Sequence, residues 1–252
     1  MLQGQSNFRD LGGYATADGT KVVAGQVFRS GDLSAATDVD LQFLEKLEIR
    51  TVVDLRSQIE AAARPDRLPR LASYRALRVL PAVDNSTMEE MFRTGDFRDF
   101  PSWESIYRSG IRDHSDVFST LIRMIADPGN RPLVFHCATG KDRTGLGAAL
   151  LLAVLGVDWS AIESDYLLSN ERLGPFAATM IDQVGRQMEQ AGQQLKVEAL
   201  SHLEELMLVD AAYLDAARDE MVRLDGSIDQ YLSGTLGIGQ ETANALRQQL
   251  LH

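Results

Sequence analysis

The stretch Leu133-Val134-Phe135-His136-Cys137-Ala138-Thr139-Gly140-Lys141-Asp142-Arg143-Thr144-Gly145 sets the tightest limit on how this chain folds. Leu133-Val134-Phe135 follows Asn130-Arg131-Pro132 and is a short, wholly apolar strand. A strand without polar alternation is covered on both faces, as in a parallel sheet. Thr144–Leu155 then reads as a helix that is apolar nearly all round, and so lies inside the protein. A buried strand that passes through a short loop into a buried helix requires an α/β layer structure.

The first half repeats that alternation. Strands are expected at Gln26–Arg29, Ile49–Leu55 and Tyr74–Leu80, and Thr37 with Asp40 three residues on marks a helix start before Leu41, Leu44 and Leu47. The second half is mainly helical, with candidates at Asp158–Leu168, on through Leu208, and at Ala211–Leu224, Ser227–Leu236 and Gln240–Leu251. Between Asp84 and Asp113 lies a segment of weak periodicity, read as an excursion from the core, either a lid or a surface helix pair. The 252 residues suit one α/β domain with a central, mostly parallel sheet, flanking helices and a helical C-terminal half.

Charge narrows the function classes. Lys and Arg number 25 against 36 Asp and Glu, a formal net charge of −11. Such a balance disfavours nucleic-acid binding, which is driven by basic side chains replacing counterions. It leaves room for a small anionic substrate at a locally positive site. Cys137 is the one cysteine, so no intramolecular disulfide forms, and a resolving partner for thiol-redox chemistry is missing. No Sec-type leader and no apolar run near the ~20 residues of a membrane span are visible, so a cytoplasmic protein without integral membrane contact is expected. His114 and His202 lack metal-ligand spacing with other donors, and neither a metal nor a cofactor is expected.

Chemistry concentrates in the loop. Cys137 ends a strand, Arg143 follows six positions later, and a helix starts there. Ligands of open α/β sheets bind beyond the carboxyl ends of strands. A short loop entering a helix can converge its N–H groups on an anion, here across Ala138, Thr139, Gly140, Lys141, Asp142, Arg143 and Thr144. Arg143 adds a planar fork for two phosphate oxygens. The same setting lowers the pKa of a thiol and makes Cys137 a nucleophile, suited to in-line attack on phosphorus. The bland alternative, a buried structural cysteine, loses ground because spacing, strand, glycine and helix all agree.

This motif resembles the phosphate-binding loop of the cysteine-dependent protein tyrosine phosphatases. Its Gly-Lys-Asp-Arg-Thr form is similar to a bacterial group that also accepts phosphoinositides, sometimes called lipid-like or triple-specificity phosphatases. Asn7-Phe8-Arg9-Asp10-Leu11-Gly12-Gly13-Tyr14, Phe28-Arg29-Ser30, Asp54-Leu55-Arg56-Ser57 and Asp165-Tyr166-Leu167-Leu168-Ser169-Asn170 fit the same group, so the likeness spans nearly the whole chain. The resemblance implies a tyrosine phosphatase fold and hydrolysis of phosphotyrosine through a cysteinyl-phosphate, with inorganic phosphate as product. It assigns Cys137 as nucleophile, Arg143 as phosphoryl clamp, Lys141 as charge at the pocket mouth and Thr144 as hydroxyl donor to the thiolate. His136 either orients the loop or is a core histidine.

Two aspartates compete as general acid: Asp142 within the loop, and Asp84 after Leu80-Pro81, which is preferred because a separate loop reaches the leaving group from the far side. Asp54 and Arg56 are expected to form a strand-end ion pair that holds Arg9 or Arg29, and Asn7–Asp10 to anchor the N-terminal segment. Two other functions stay open, a phosphoinositide phosphatase and a non-catalytic phosphate-binding module. A low-pKa Cys137 is also expected to be oxidised reversibly by peroxide.

Overall fold

The computed structural model describes residues 2–80, 83, 85–94, 96, 98–190 and 206–252. Its frame is a five-stranded sheet in the order β1-β2-β5-β3-β4. The strands are β1 (Arg9–Asp10), β2 (Val27–Ser30), β3 (Thr51–Asp54), β4 (Ser73–Ala76) and β5 (Leu133–His136). Only β1 is antiparallel to its neighbour; β2, β5, β3 and β4 run parallel. Strands β2, β3 and β5 are buried at every residue, including the polar Arg29, Ser30, Thr51, Asp54 and His136.

Period two sorts the side chains between two apolar layers. Val27, Val53, Leu133 and Phe135 belong to the large cluster, and Phe28, Val52 and Val134 to the small one. The small cluster is closed by α1 (Asp38–Lys46), whose expected Thr37–Asp40 capping box is formed in both directions. The large cluster surrounds α6 (Arg143–Leu155), where every residue except Arg143 and Ala153 is buried. Ahead of α6 come α2 (Gln58–Ala63), α3 (Asn85–Thr94), α4 (Trp103–Asp113) and α5 (Ser115–Ala126). After it come α7 (Trp159–Gln190), α8 (Ala211–Asp225), α9 (Ile228–Ser233) and α10 (Gln240–Leu250).

Two details differ from the sequence-based expectation. The strand expected at Tyr74–Leu80 is regular only over Ser73–Ala76, although Leu77 and Val79 still donate to the Asp54 and Leu55 carbonyls. It is an edge strand with exposed side chains, and pairing with β3 alone sustains it. Within the weakly periodic 84–113 segment, α4 is no excursion, because Tyr107 and Ile111 are wholly buried in the large cluster. Among the described residues, no helix is long and apolar enough to cross a membrane.

Candidate active site

Three parallel strands end on one side of the sheet, at Ser30, His136 and Asp54. The chain leaves β5 through Cys137, which is buried, and turns over Ala138–Asp142 into α6. Gly140 makes that turn possible. Its φ is +75°, and a Cβ there would sit 2.4 Å from the Ser30 carbonyl oxygen.

The loop's carbonyls are all accounted for. Cys137 O lies 3.1 Å from His136 Nδ1, and Ala138 O accepts from the Asp32 amide at 3.0 Å. Thr139 O accepts from Asn7 Nδ2 at 3.0 Å. Arg29 donates to Gly140 O at 2.9 Å and to Lys141 O at 3.5 Å, and Asp142 O takes the Leu146 amide of α6. In a trans peptide the N–H points opposite to the preceding C=O. With the carbonyls turned to the scaffold, the N–H groups from Ala138 to Arg143 face the other way. None of them donates to another described residue. Asp142 is the N-cap of α6 without capping through its side chain, so the helix dipole adds to the same concavity.

Arg143 is aimed by a residue that sequence reasoning missed. Its two terminal nitrogens donate to Glu60 Oε2 at 2.8 Å and Oε1 at 2.6 Å. Burial opposes the guanidinium charge, but Glu60 and the neighbouring Cys137 outweigh it and hold the Arg143 pKa above its usual value. Glu60 is likewise penalised by burial and kept below its usual pKa by Arg143 and the Ser57 backbone. Ser57 and Glu60 form a complete capping box at the start of α2, and Ser-x-x-Glu was the signal in the sequence. End-on pairing leaves the Nε edge of the guanidinium for another anion.

Lys141, expected as charge at the pocket mouth, has its ammonium between two residues that line the cleft described below, Asp142 and Trp103. It is buried, with Nζ 2.8 Å from Asp142 Oδ1 and 4.5 Å above the Trp103 ring, because the carboxylate and the aromatic face both draw the cation. Tyr107 donates to the same Asp142 oxygen at 2.7 Å and receives the Tyr166 hydroxyl at 2.6 Å. Burial and then the Asp142 charge push Tyr107 and Tyr166 well above the usual phenol pKa, so both stay neutral donors. Thr144 is fully buried, and its hydroxyl makes no hydrogen bond among the described residues. Asp84 lies outside the described residues. A cleft of about 530 Å³ opens beside Asp142 and Arg143, walled by Phe100, Trp103, Ile106 and Tyr107.

The expected Asp54–Arg56 ion pair is present, but it does not hold Arg9 or Arg29. Arg56 turns back onto Asp54 at 2.8 Å and Asp66 at 2.7 Å. Arg9 and Arg29 instead share Asp165, at 2.9 and 2.5 Å, with Tyr14 donating to the same carboxylate at 2.9 Å. The cause is distance along the sheet: β2 lies next to β5, on the side away from β3. The expected anchoring by Asn7–Asp10 is seen, through Asn7 to the loop and Arg9 to Asp165 and Ser169. His136, with Asp54 and Asp66, forms a group of three residues whose potential metal-ligand atoms lie within 4.8 Å of one another, which spacing alone does not reveal. Arg56 already donates to both carboxylates, so a cation there competes with a guanidinium.

A strand-end cysteine, a loop of outward carbonyls and a preset arginine define a class, the cysteine-based phosphoester hydrolases. A model of the tyrosine phosphatase family matches residues 1–252, and the chain belongs to that family. It is 30% identical over 285 residues to the triple specificity protein phosphatase PtpB of Mycobacterium tuberculosis, covering 99% of this chain and 98% of that one. It is 36% identical over 245 residues to a Cupriavidus necator protein named as a tyrosine-protein phosphatase, covering 92% of this chain and 82% of the relative. Among solved structures, that of P. aeruginosa TpbA aligns with a TM-score of 0.36 at 16% identity, over 79% of this chain and 90% of the other.

Proposed function

We propose that this tyrosine phosphatase hydrolyses phosphotyrosine monoesters in a single catalytic domain, with Cys137 as nucleophile. The observation that carries the reading is the loop whose carbonyls are all bonded outward while its N–H groups face the other way, with Arg143 at its end held by Glu60. The Cys137 thiolate attacks phosphorus as the P–O bond to the phenol breaks, and the aryl oxygen takes a proton from the general acid. Water then attacks the cysteinyl-phosphate, returns a proton to that acid, and releases inorganic phosphate and the thiolate. The N–H groups and the Nε edge of Arg143 hold the three equatorial oxygens throughout. The Thr144 hydroxyl is free to donate to the thiolate as it leaves.

Asp142 Oδ1 is already engaged by Tyr107 and Lys141, which supports Asp84 as the proton donor. The aromatic cleft supports an aryl ester. Lys141 is engaged under Trp103, which weakens the case for a second substrate phosphate at that residue.

The test is phosphate release from p-nitrophenyl phosphate, a phosphotyrosine peptide, a phosphoserine peptide and a short-chain phosphoinositide. The wild type is expected to prefer the phosphotyrosine peptide, and Cys137→Ser to be inactive on all four. Preference for the phosphoinositide moves the substrate class to lipids. No turnover with retained phosphate binding makes the chain a binding module.

A further inference from the structure

Three sequence motifs lie outside the reacting groups: Asn7-Phe8-Arg9-Asp10, Phe28-Arg29-Ser30 and Asp165–Asn170. They meet at one place. Asn7, Arg9, Arg29, Asp165 and Ser169 are all buried directly behind the loop. Asp165 takes Arg9 Nε on Oδ1 and Arg29 on Oδ2, and its backbone carbonyl takes Arg9 at 2.9 Å. Arg9 also donates to Asn7 Oδ1, which fixes the Asn7 amide so that its nitrogen faces Thr139 O. Burial and the adjacent Arg29 push the Arg9 pKa down to about 10, as expected where two cations crowd one carboxylate.

We propose that Arg29 and Asn7 are positioning residues for phosphoryl transfer, with Asp165 as the peg that fixes both. Between them they hold three consecutive carbonyls, Thr139, Gly140 and Lys141, away from the anion side. A peptide plane that flips presents an oxygen instead of an N–H to the substrate, and exchanges attraction for repulsion. Loop sequence alone does not prevent the flip, since Gly140 tolerates many backbone conformations. The node prevents it from behind. Arg29 reaches the start of α6 as well, where a Cβ on Gly145 would lie 3.5 Å from its terminal nitrogen. The guanidinium thus adds positive potential beneath an anion it never touches.

The inference rests on the hydrolytic reading above, and the experiment separates the two. Full-length wild type, Asn7→Ala and Arg29→Lys are compared in three measurements. These are kcat and KM on p-nitrophenyl phosphate, competitive inhibition by inorganic phosphate, and the pH profile of Cys137 alkylation by iodoacetate. Thermal unfolding is followed alongside. Arg29→Lys keeps the charge but loses the fork, and is expected to lower kcat by about 100-fold. Asn7→Ala removes one carbonyl bond and is expected to lower it about 10-fold, weaken phosphate inhibition and shift the alkylation profile to higher pH. A lower unfolding temperature with wild-type phosphate inhibition and alkylation profile in the folded variants overturns the proposal, because the node is then only structural. If Arg29→Lys does not fold, Asn7→Ala alone decides on the same readouts. A wild type that neither turns over substrate nor is protected from alkylation by phosphate overturns the hydrolytic reading, and this proposal with it.

Discussion

Two buried ion clusters flank the loop, and their charge balance is opposite. Behind Gly140, two arginines share the single carboxylate of Asp165. Across the sheet, the buried guanidinium of Arg56 sits among Asp54, Asp66 and Asp32, and the exposed Arg64 reaches Asp32 from outside. The surplus cation lies under the carbonyls of the loop, and the surplus anion lies beside His136, whose Nε2 is 3.2 Å from Asp66. Both clusters fix backbone, but only the first places positive potential where an oxyanion is to be held. An acidic protein can thereby keep a positive site: sign is set locally by which partner is in excess.

That difference predicts unequal costs for the same chemical change. Asp165→Asn leaves two buried arginines with no carboxylate in their cluster, and is expected to cost about 3–5 kcal/mol in urea unfolding. Asp54→Asn keeps an acceptor for Arg56 and Tyr74 and leaves Arg56 with Asp66 and Asp32, and is expected to cost less, about 1.5–3 kcal/mol. Equal losses break the comparison.

Acid sharpens it next. Burial opposes ionisation of Asp165, but Arg29 and Arg9 overcome it and lower its pKa; Asp54, also penalised by burial, is lowered by Arg56 and His136. A carboxyl with a depressed folded-state pKa stabilises fully above its unfolded value, about 3.9, and that stability drains away as pH falls below it. Unfolding free energy is therefore expected to be flat with respect to these groups from neutrality to about pH 5, and to drop below about pH 4. The drop is expected to be shallower in Asp165→Asn than in wild type. Guanidinium chloride titrations at several pH values measure this.

The smallest expected effect concerns aim. Glu60→Gln keeps a hydrogen-bond acceptor for Arg143 but removes the charge. It is expected to lower kcat on p-nitrophenyl phosphate about 10-fold and to cost less stability than Asp165→Asn, since the Arg143–Glu60 pair is partly exposed. An unchanged kcat means that the loop, not Glu60, aims the arginine.

What the sequence disclosed was local. The strand, the cysteine, the glycine and the apolar helix sit within one continuous stretch, and each is set by its neighbours' periodicity and backbone freedom. The Thr37–Asp40 box was legible for the same reason. The partners were not. Glu60 meets Arg143 from 83 residues away, and Tyr107 meets Asp142 from 35 away. Charge pairing leaves no periodic trace, so Arg9 and Arg29 were assigned to Asp54 and Arg56 when only the strand order decides for Asp165. The Ser57–Glu60 box was readable as a helix start, but its second duty toward Arg143 belongs to tertiary structure.

The separation between Arg9 and Asp165 also fixes an order of events during synthesis. The N-terminal arginines leave the ribosome 156 and 136 residues before their counter-ion. At typical elongation speeds of about 5–20 residues per second, that delay is about 7 to 30 seconds. Until α7 emerges, the arginines stay in water and the loop's backing cannot set. The cysteine loop thus leaves the ribosome before the carboxylate that backs it, and its carbonyls can be pinned only once Asp165 has arrived.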